Sequence, residues 1–310
     1  MGSVYAALLA SAGHDVCAID TWREHVDAIR AGGLRLTGAS GDRLVALDAT
    51  TDPREVDPVD LLVIATKAHA VEAATRAATP LLADETVVLP IQNGLGSAER
   101  VAAIVGAQRV IAGVVGGFGA SIVAPGHAHH EGMELVRLGE RDGPVSDRVE
   151  RIADAWRGAG FTVRTYDDVS RLVWEKLICN VAFSGTCAVT GATIAEVIDN
   201  DAAWSVAVAC ATEAYGVARA QGIALEFDDP AGYVKRFGRT IGGAKPSMLL
   251  DVLAGRRCAV DVINGAIPPL ASSLGLDAPA NTMVAALVRA IQRDVTPAGE
   301  PYAEPAARGG

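Results

Sequence analysis

The chain has 310 residues, half of them apolar and 21% charged, enough for two ordinary domains with sizeable cores. Its formal net charge of −10 argues against nucleic-acid and anionic-membrane partners, because phosphate-rich surfaces demand clustered Lys and Arg. Five cysteines, odd in number and widely spaced (Cys17, Cys179, Cys187, Cys210, Cys258), read as reduced thiols of a cytoplasmic protein.

Residues 2 to 12 have helical composition and stop at Gly13. They run straight into a short β-branched strand, 14 to 20, and so read as structure and not as a leader. A helical pattern over 21 to 30 follows, closed by Gly32 and Gly33. Compact apolar runs at 60 to 66 (DLLVIAT) and 85 to 91 (ETVVLPI) fit strands buried on both faces, with a helix over 68 to 82 between them. Strand and helix alternating at this spacing predict crossover units, hence a Rossmann-like doubly wound parallel sheet in an α/β domain. His127, His129 and His130 belong to the strands closing that domain; alternation along a strand leaves only two of them on one side, too few for a metal.

Beyond the strand-like FTVRTY segment the pattern turns helical, over 168 to 183, 193 to 220, 229 to 239, 247 to 272 and 279 to 294. The expected organisation is a dinucleotide-binding domain over 1–165, an all-α substrate and dimerisation domain over 166–294, and a disordered Pro- and Gly-rich tail over 295–310. No uninterrupted apolar run reaches the roughly 18 residues of a membrane span.

A dinucleotide-binding unit opens with a buried strand, a G-x-G-x-x-G loop and a helix whose N-terminus faces the pyrophosphate. Here the helix is present, Asp20 ends the next strand, and Gly2 stands where the third glycine belongs. Counting back from Asp20 reproduces the spacing of the fingerprint. The first strand is therefore expected to be missing from the chain as written, and the coding sequence upstream of Met1 to supply it. The plainer reading makes Gly2 merely the second residue of an amphipathic helix.

Three segments carry a family resemblance over nearly the whole length: IQNGLG at 91–96, an Asn-Gly turn at the end of a strand; WEKLICN at 174–180; and KPSMLLDVLAGRRCAVDVING at 245–265. In this order and spacing they resemble the ketopantoate reductase (2-dehydropantoate 2-reductase) family. The resemblance implies reduction of a small branched 2-oxo acid by a nicotinamide cofactor, as in pantothenate biosynthesis. Helix geometry bears on the second segment independently: Lys176 and Asn180 are i and i+4, and Ser184 continues the stripe. A lysine facing a dry cleft beside amides can hydrogen-bond a carbonyl, stabilise the developing alkoxide and deliver its proton. A solvated surface lysine is the plainer alternative.

By resemblance, Lys176 is the catalytic lysine, Asn93 lies near nicotinamide and substrate, Asn180 holds the substrate, and Ser247 binds its carboxylate. Lys67 reaches the cofactor side. Asn93 could instead cap a turn, Ser247 cap the following helix, and Lys67 face solvent. Two positions depart from the family pattern: Ser184 stands where a second asparagine is usual, and Ala259 replaces a glutamate, with Asp261 two residues further on. A related 2-oxo acid would fit the same lysine chemistry. Asp20 suits a ribose diol and favours NAD, whereas the resemblance and nearby Arg23 favour NADP. Arg256 and Arg257 read as a solvated pair at a helix end, a phosphate clamp being the other reading. A non-catalytic dinucleotide-binding regulator is the competing function, and a homodimer is compatible with the helical half.

Overall fold

The computed structural model describes residues 1–117, 119–132 and 135–292. Helix α1 (Gly2–Ser11) leads into β1 (Cys17–Ile19) and α2 (Arg23–Gly32), which stops at Gly33 with φ of +83°. Strands β2 (Leu34–Gly38), β3 (Arg43–Val45), β4 (Asp48–Thr50) and β5 (Val59–Ile64) precede the short α3 (Val71–Ala77). Then come β6 (Leu82–Pro90), α4 (Ser97–Val105) and β7 (Ile111–Gly116), followed by β8 (Gly119–Ala124), β9 (His127–Gly132), β10 (Leu135–Glu140), α5 (Asp147–Gly158) and β11 (Val163–Thr165).

Parallel pairing holds for β1 with β4 and for β5 with β6, the arrangement that strands separated by helical crossovers require. The two pairs are not hydrogen-bonded to each other. Two mixed sheets accompany them: β3-β2-β9-β8, in which β2 and β9 run parallel, and β11-β10-β7, in which β10 and β11 run parallel; a parallel Val88–Val110 bridge links β6 to the residue before β7. Under this α/β half lies a core in which Trp156 of α5, fully buried, packs 5.1 Å from the ring of Tyr5 in α1. His127 and His129 of β9 each meet the Thr37 hydroxyl at 3.1 Å. Among the described residues no group of three or more His, Cys, Asp or Glu is placed to hold a metal ion.

The second half is all helix: α6 (Val169–Thr190), α7 (Ile194–Asp199), α8 (Asp201–Ala220), α9 (Pro230–Thr240), α10 (Ser247–Leu253), α11 (Ile267–Ser273) and α12 (Pro279–Ile291). Local chemistry sets the ends of α6. The Asp168 carboxylate caps it by accepting from the Arg171 N–H at 3.0 Å, and Gly191 closes it in the left-handed region at φ +73°. Two helices expected as continuous are broken. Asn200 turns its side chain to accept from the Ala203 N–H at 3.0 Å and so starts a new helix, separating α7 from α8. The stretch from 247 stops at Leu253 because Gly255 adopts φ +62°, and the helix resumes only at Ile267, where Pro268 and Pro269 occupy first-turn positions that need no N–H donor.

Helix α6 is the one helix among the described residues long and apolar enough to cross a membrane, with mean hydropathy 1.2, yet 67% of that window is buried inside the protein. It is apolar nearly all round because other helices surround it, α8, α10 and α12 among them. Four of the five cysteines are buried, and all five are free thiols. The tail expected over 295–310 lies outside the described residues.

Candidate active site

The loop after β6 is pinned from two sides. The Gln92 amide donates to the carbonyls of Ile64 (2.6 Å) and Thr66 (3.1 Å), tying the loop to the end of β5. Two residues on, Gly94 sits at φ +88° so close to the helical half that a Cβ there would stand 2.3 Å from the Val262 carbonyl oxygen, and the Leu95 N–H donates to that oxygen at 2.9 Å. Only glycine fits both the left-handed backbone and the close approach. Asn93, immediately before this contact, is left exposed at the carboxyl end of the parallel strands, where ligands of open α/β sheets bind.

Lys176 arrives from the other side, on the second turn of α6. Its neighbours Trp174, Leu177 and Ile178 are buried and fix the helix against the core. The ammonium donates to the Asn93 carbonyl oxygen Oδ1 at 2.6 Å and to the Val115 backbone carbonyl at the end of β7. No carboxylate pairs with it among the described residues. Burial lowers its pKa to about 8, and the positive charge of Arg137 on β10 pushes the same way. A lysine with pKa near 8 is a general acid matched to neutral pH, still protonated at rest yet able to part with its proton. Since the charged form is the one that donates, kcat/KM for carbonyl reduction is expected to be level below pH 8 and to fall about tenfold per unit above it. An initial-rate pH profile checks this, and a flat profile to pH 9.5 would remove Lys176 as the acid.

Three other expected residues, two on α6 and one on α10, make no hydrogen bond to this pair among the described residues. Asn180 is half-buried one turn along α6, Ser184 is buried a further turn on, and Ser247 is exposed as the first residue of α10. Pro246 occupies the N-cap of α10 and no side chain caps it, so Ser247 is not a capping residue. Lys67 does not face solvent alone: its ammonium meets Asp251 Oδ2 at 2.6 Å. Asp251 is buried on α10, and its other oxygen accepts from Arg256 Nε at 3.1 Å. That contact adds an ion pair to Arg256, while the Arg256 and Arg257 side chains both remain more than half exposed, as a solvated pair would be. Asp261 turns to Arg289 at 2.9 Å and to Arg257 at 3.6 Å, and so does not stand in for an acid at Ala259.

Gly2 begins α1 beside Ala65, at the end of β5, where an added Cβ would lie 3.5 Å from the Ala65 methyl. Asp20 and Lys67 both bear electrostatically on the amine of Met1, whose pKa burial lowers first of all. The start of α1, the end of β1 and the end of β5 therefore converge. Asp20 is exposed and, among the described residues, its side chain accepts only from the Trp22 N–H at 2.9 Å, through one oxygen. Such a carboxylate fits a ribose diol, and Arg23 beside it is exposed. Sequence reasoning missed Asp251, the Val115 carbonyl and Arg137. Only Asp251 left a trace, as a lone acid inside the apolar run SMLLDVL.

The family model described as ketopantoate reductase PanE/ApbA matches residues 1–143, and its C-terminal counterpart matches residues 168–292. The 2-dehydropantoate 2-reductase of Archaeoglobus fulgidus is 30% identical, covering 94% of this chain and 95% of that protein. The chain belongs to the ketopantoate reductase family. Its fold matches the crystal structure of a PanE/ApbA family ketopantoate reductase from Ralstonia eutropha with a TM-score of 0.85 at 33% identity, covering 94% of this chain and 96% of the other. The 2-dehydropantoate 2-reductase from Geobacter metallireducens gives 0.85 at 32% identity over 92% and 95%. D-mandelate dehydrogenase, solved with NADH and anilino(oxo)acetate, shares the fold at 0.85 with 24% identity. This ketopantoate reductase family member is an oxidoreductase that uses a nicotinamide cofactor and a small-molecule substrate.

Proposed function

We propose that this enzyme reduces a small branched 2-oxo acid, 2-dehydropantoate or a close relative, to the 2-hydroxy acid. The observation that carries the reading is the 2.6 Å hydrogen bond from the Lys176 ammonium to Asn93, made at the tips of the sheet by residues 83 positions apart. The cofactor, when bound, supplies the hydride. Lys176 then hydrogen-bonds the carbonyl oxygen, stabilises the charge that develops there and transfers its proton to it. Asn93 Oδ1 and the Val115 carbonyl hold the ammonium in place beforehand. Asn180 and Ser184 on α6 and Ser247 on α10 orient the carboxylate and side chain of the substrate. Gly2, Asp20, Arg23, Lys67 and Asn93 form the cofactor side, within a dinucleotide-binding unit of 1–165 that faces a helical unit of 166–294. Lys67 acts there together with Asp251, as a cation already anchored to α10.

Family membership favours NADP, and Arg23 would pair with its 2′-phosphate; the exposed Asp20 carboxylate favours NAD. Oxidation of NADPH and of NADH is to be followed with a panel of branched 2-oxo acids. Saturable turnover of at least one acid is expected, and none with either cofactor would leave only a binding or regulatory role. Because Ala259 lacks the family's carboxylate, Ala259→Glu should raise kcat/KM for 2-dehydropantoate about tenfold, the worth of one charge-assisted hydrogen bond. An unchanged or lower value would assign the natural substrate elsewhere. A cytoplasmic location suits the free thiols. A homodimer suits α12, which exposes Met283, Leu287 and Ile291 at i, i+4 and i+8 (62%, 43% and 47% exposed). Sedimentation should give twice the chain mass of 31.9 kDa, and Met283→Glu with Leu287→Glu should return the monomer.

A further inference from the structure

Between α3, α4 and residues 257–262 runs a groove of about 530 Å³. Arg76 and His69 reach it from the first helix and the turn before it, Arg100 from the second, and Arg257 from the 257–262 segment. Two carboxylates share it, those of Glu72 and Asp261. Asp261 is already engaged by Arg289 at 2.9 Å and by Arg257 at 3.6 Å. Neither Arg76 nor Arg100 has an ion-pair partner among the described residues.

Arg100 is the anomaly. Among the described residues its buried Nε has no hydrogen-bond partner, and its Nη2 has only the Ser97 hydroxyl at 3.3 Å. A guanidinium is a rigid fork of donors that matches the oxygens of carboxylate or phosphate, and a buried donor left empty is costly. The groove thus holds a surplus of positive charge, with an unsatisfied fork inside a cavity large enough for a small molecule. Burial, then the charges of Arg257 and Lys67, lower the pKa of His69 against the opposing pull of Asp251.

We propose that this groove binds a phosphate-bearing small molecule, at a site separate from that of the nicotinamide cofactor. A phosphate dianion brings the charge and the acceptor oxygens that Arg100 and Arg76 lack, with Arg257 beside them shared between it and Asp261. Val262 joins the groove to the reaction centre: it lines the cavity, and its carbonyl is the one that seats Gly94 and Leu95 beside Asn93. An anion held by Arg257 therefore bears on the loop that presents Asn93 to Lys176.

Calorimetric titration of the full chain with inorganic phosphate, alone and with saturating NADH or NADPH, tests the site without requiring turnover. Saturable binding is expected, unchanged by either cofactor. Arg100→Met should weaken it roughly tenfold or more, the loss of a charged hydrogen-bonding pair. Arg100→Lys, which keeps the charge without the fork, should fall between. Ala259→Glu, which adds a carboxylate to the groove, should weaken it as well, while Arg54→Met, on a guanidinium held by Asp52 elsewhere, should not. Phosphate should also raise the His69 pKa in an NMR titration of its ring protons. Absence of saturable binding, equal affinity in Arg100→Met with an unchanged urea midpoint, or displacement of phosphate by NADH or NADPH would overturn the proposal, displacement assigning the cations to the cofactor's own phosphates.

Discussion

Replacing Lys176 by alanine is expected to lower kcat for 2-oxo acid reduction by roughly 10²- to 10⁴-fold, the usual worth of a positioned proton donor, while dinucleotide affinity stays near that of the parent. The ammonium bonds Asn93 and the Val115 carbonyl at the strand tips; truncating it removes the donor to the carbonyl oxygen without disturbing Asp20 or the start of α1. Lys176→Arg sharpens the test. Arginine preserves the positive charge but cannot give up its proton near neutral pH, so kcat should stay low and the decline of rate above pH 8 should vanish. Stopped-flow reduction and cofactor titration by fluorescence separate the two effects. Turnover of either variant within threefold of the parent would take Lys176 out of the chemistry.

The second large effect is expected at Gly94→Ala, one residue beyond Asn93. Left-handed backbone costs a residue with a Cβ about 1–2 kcal/mol, and forcing a methyl against the Val262 oxygen 2.3 Å away adds about 1–3 kcal/mol of overpacking. Gly13→Ala is the control, since Gly13 has a similar φ of +90° but nothing within 4 Å of its added Cβ. Urea unfolding should therefore show Gly94→Ala as the more destabilised of the two by the contact contribution alone. Kinetics should show a lower kcat in Gly94→Ala only, because the loop that moves is the one carrying Asn93. Equal midpoints for both variants would mean that the approach to Val262 does not hold the loop.

How far the sequence reaches differs between the two halves. The strand runs around 60–66 and 85–91 were legible because strands buried on both faces must be continuously apolar, and they appear as β5 and β6, paired in parallel. The change to helix after the FTVRTY segment was legible for a different reason, long stretches of helical composition in place of short apolar runs. Breaks inside those stretches were not: Asn200 and Gly255 are tolerated within a helix by composition, and only their side-chain or backbone geometry shows that each ends one.

At the site, the primary sequence by itself determined that Lys176, Asn180 and Ser184 share a stripe of one helix and that Asn93 follows a strand, because both statements depend on local periodicity alone. Tertiary structure decided that the ammonium meets Asn93 across 83 residues, that Lys67 is held by Asp251 across 184, and that desolvation, with Arg137 adding to it, lowers the Lys176 pKa to about 8. Those outcomes arise where the sheet-bearing half and the helical half of the chain meet. Desolvation and ion pairing depend on distances through space, which no local pattern of residues encodes.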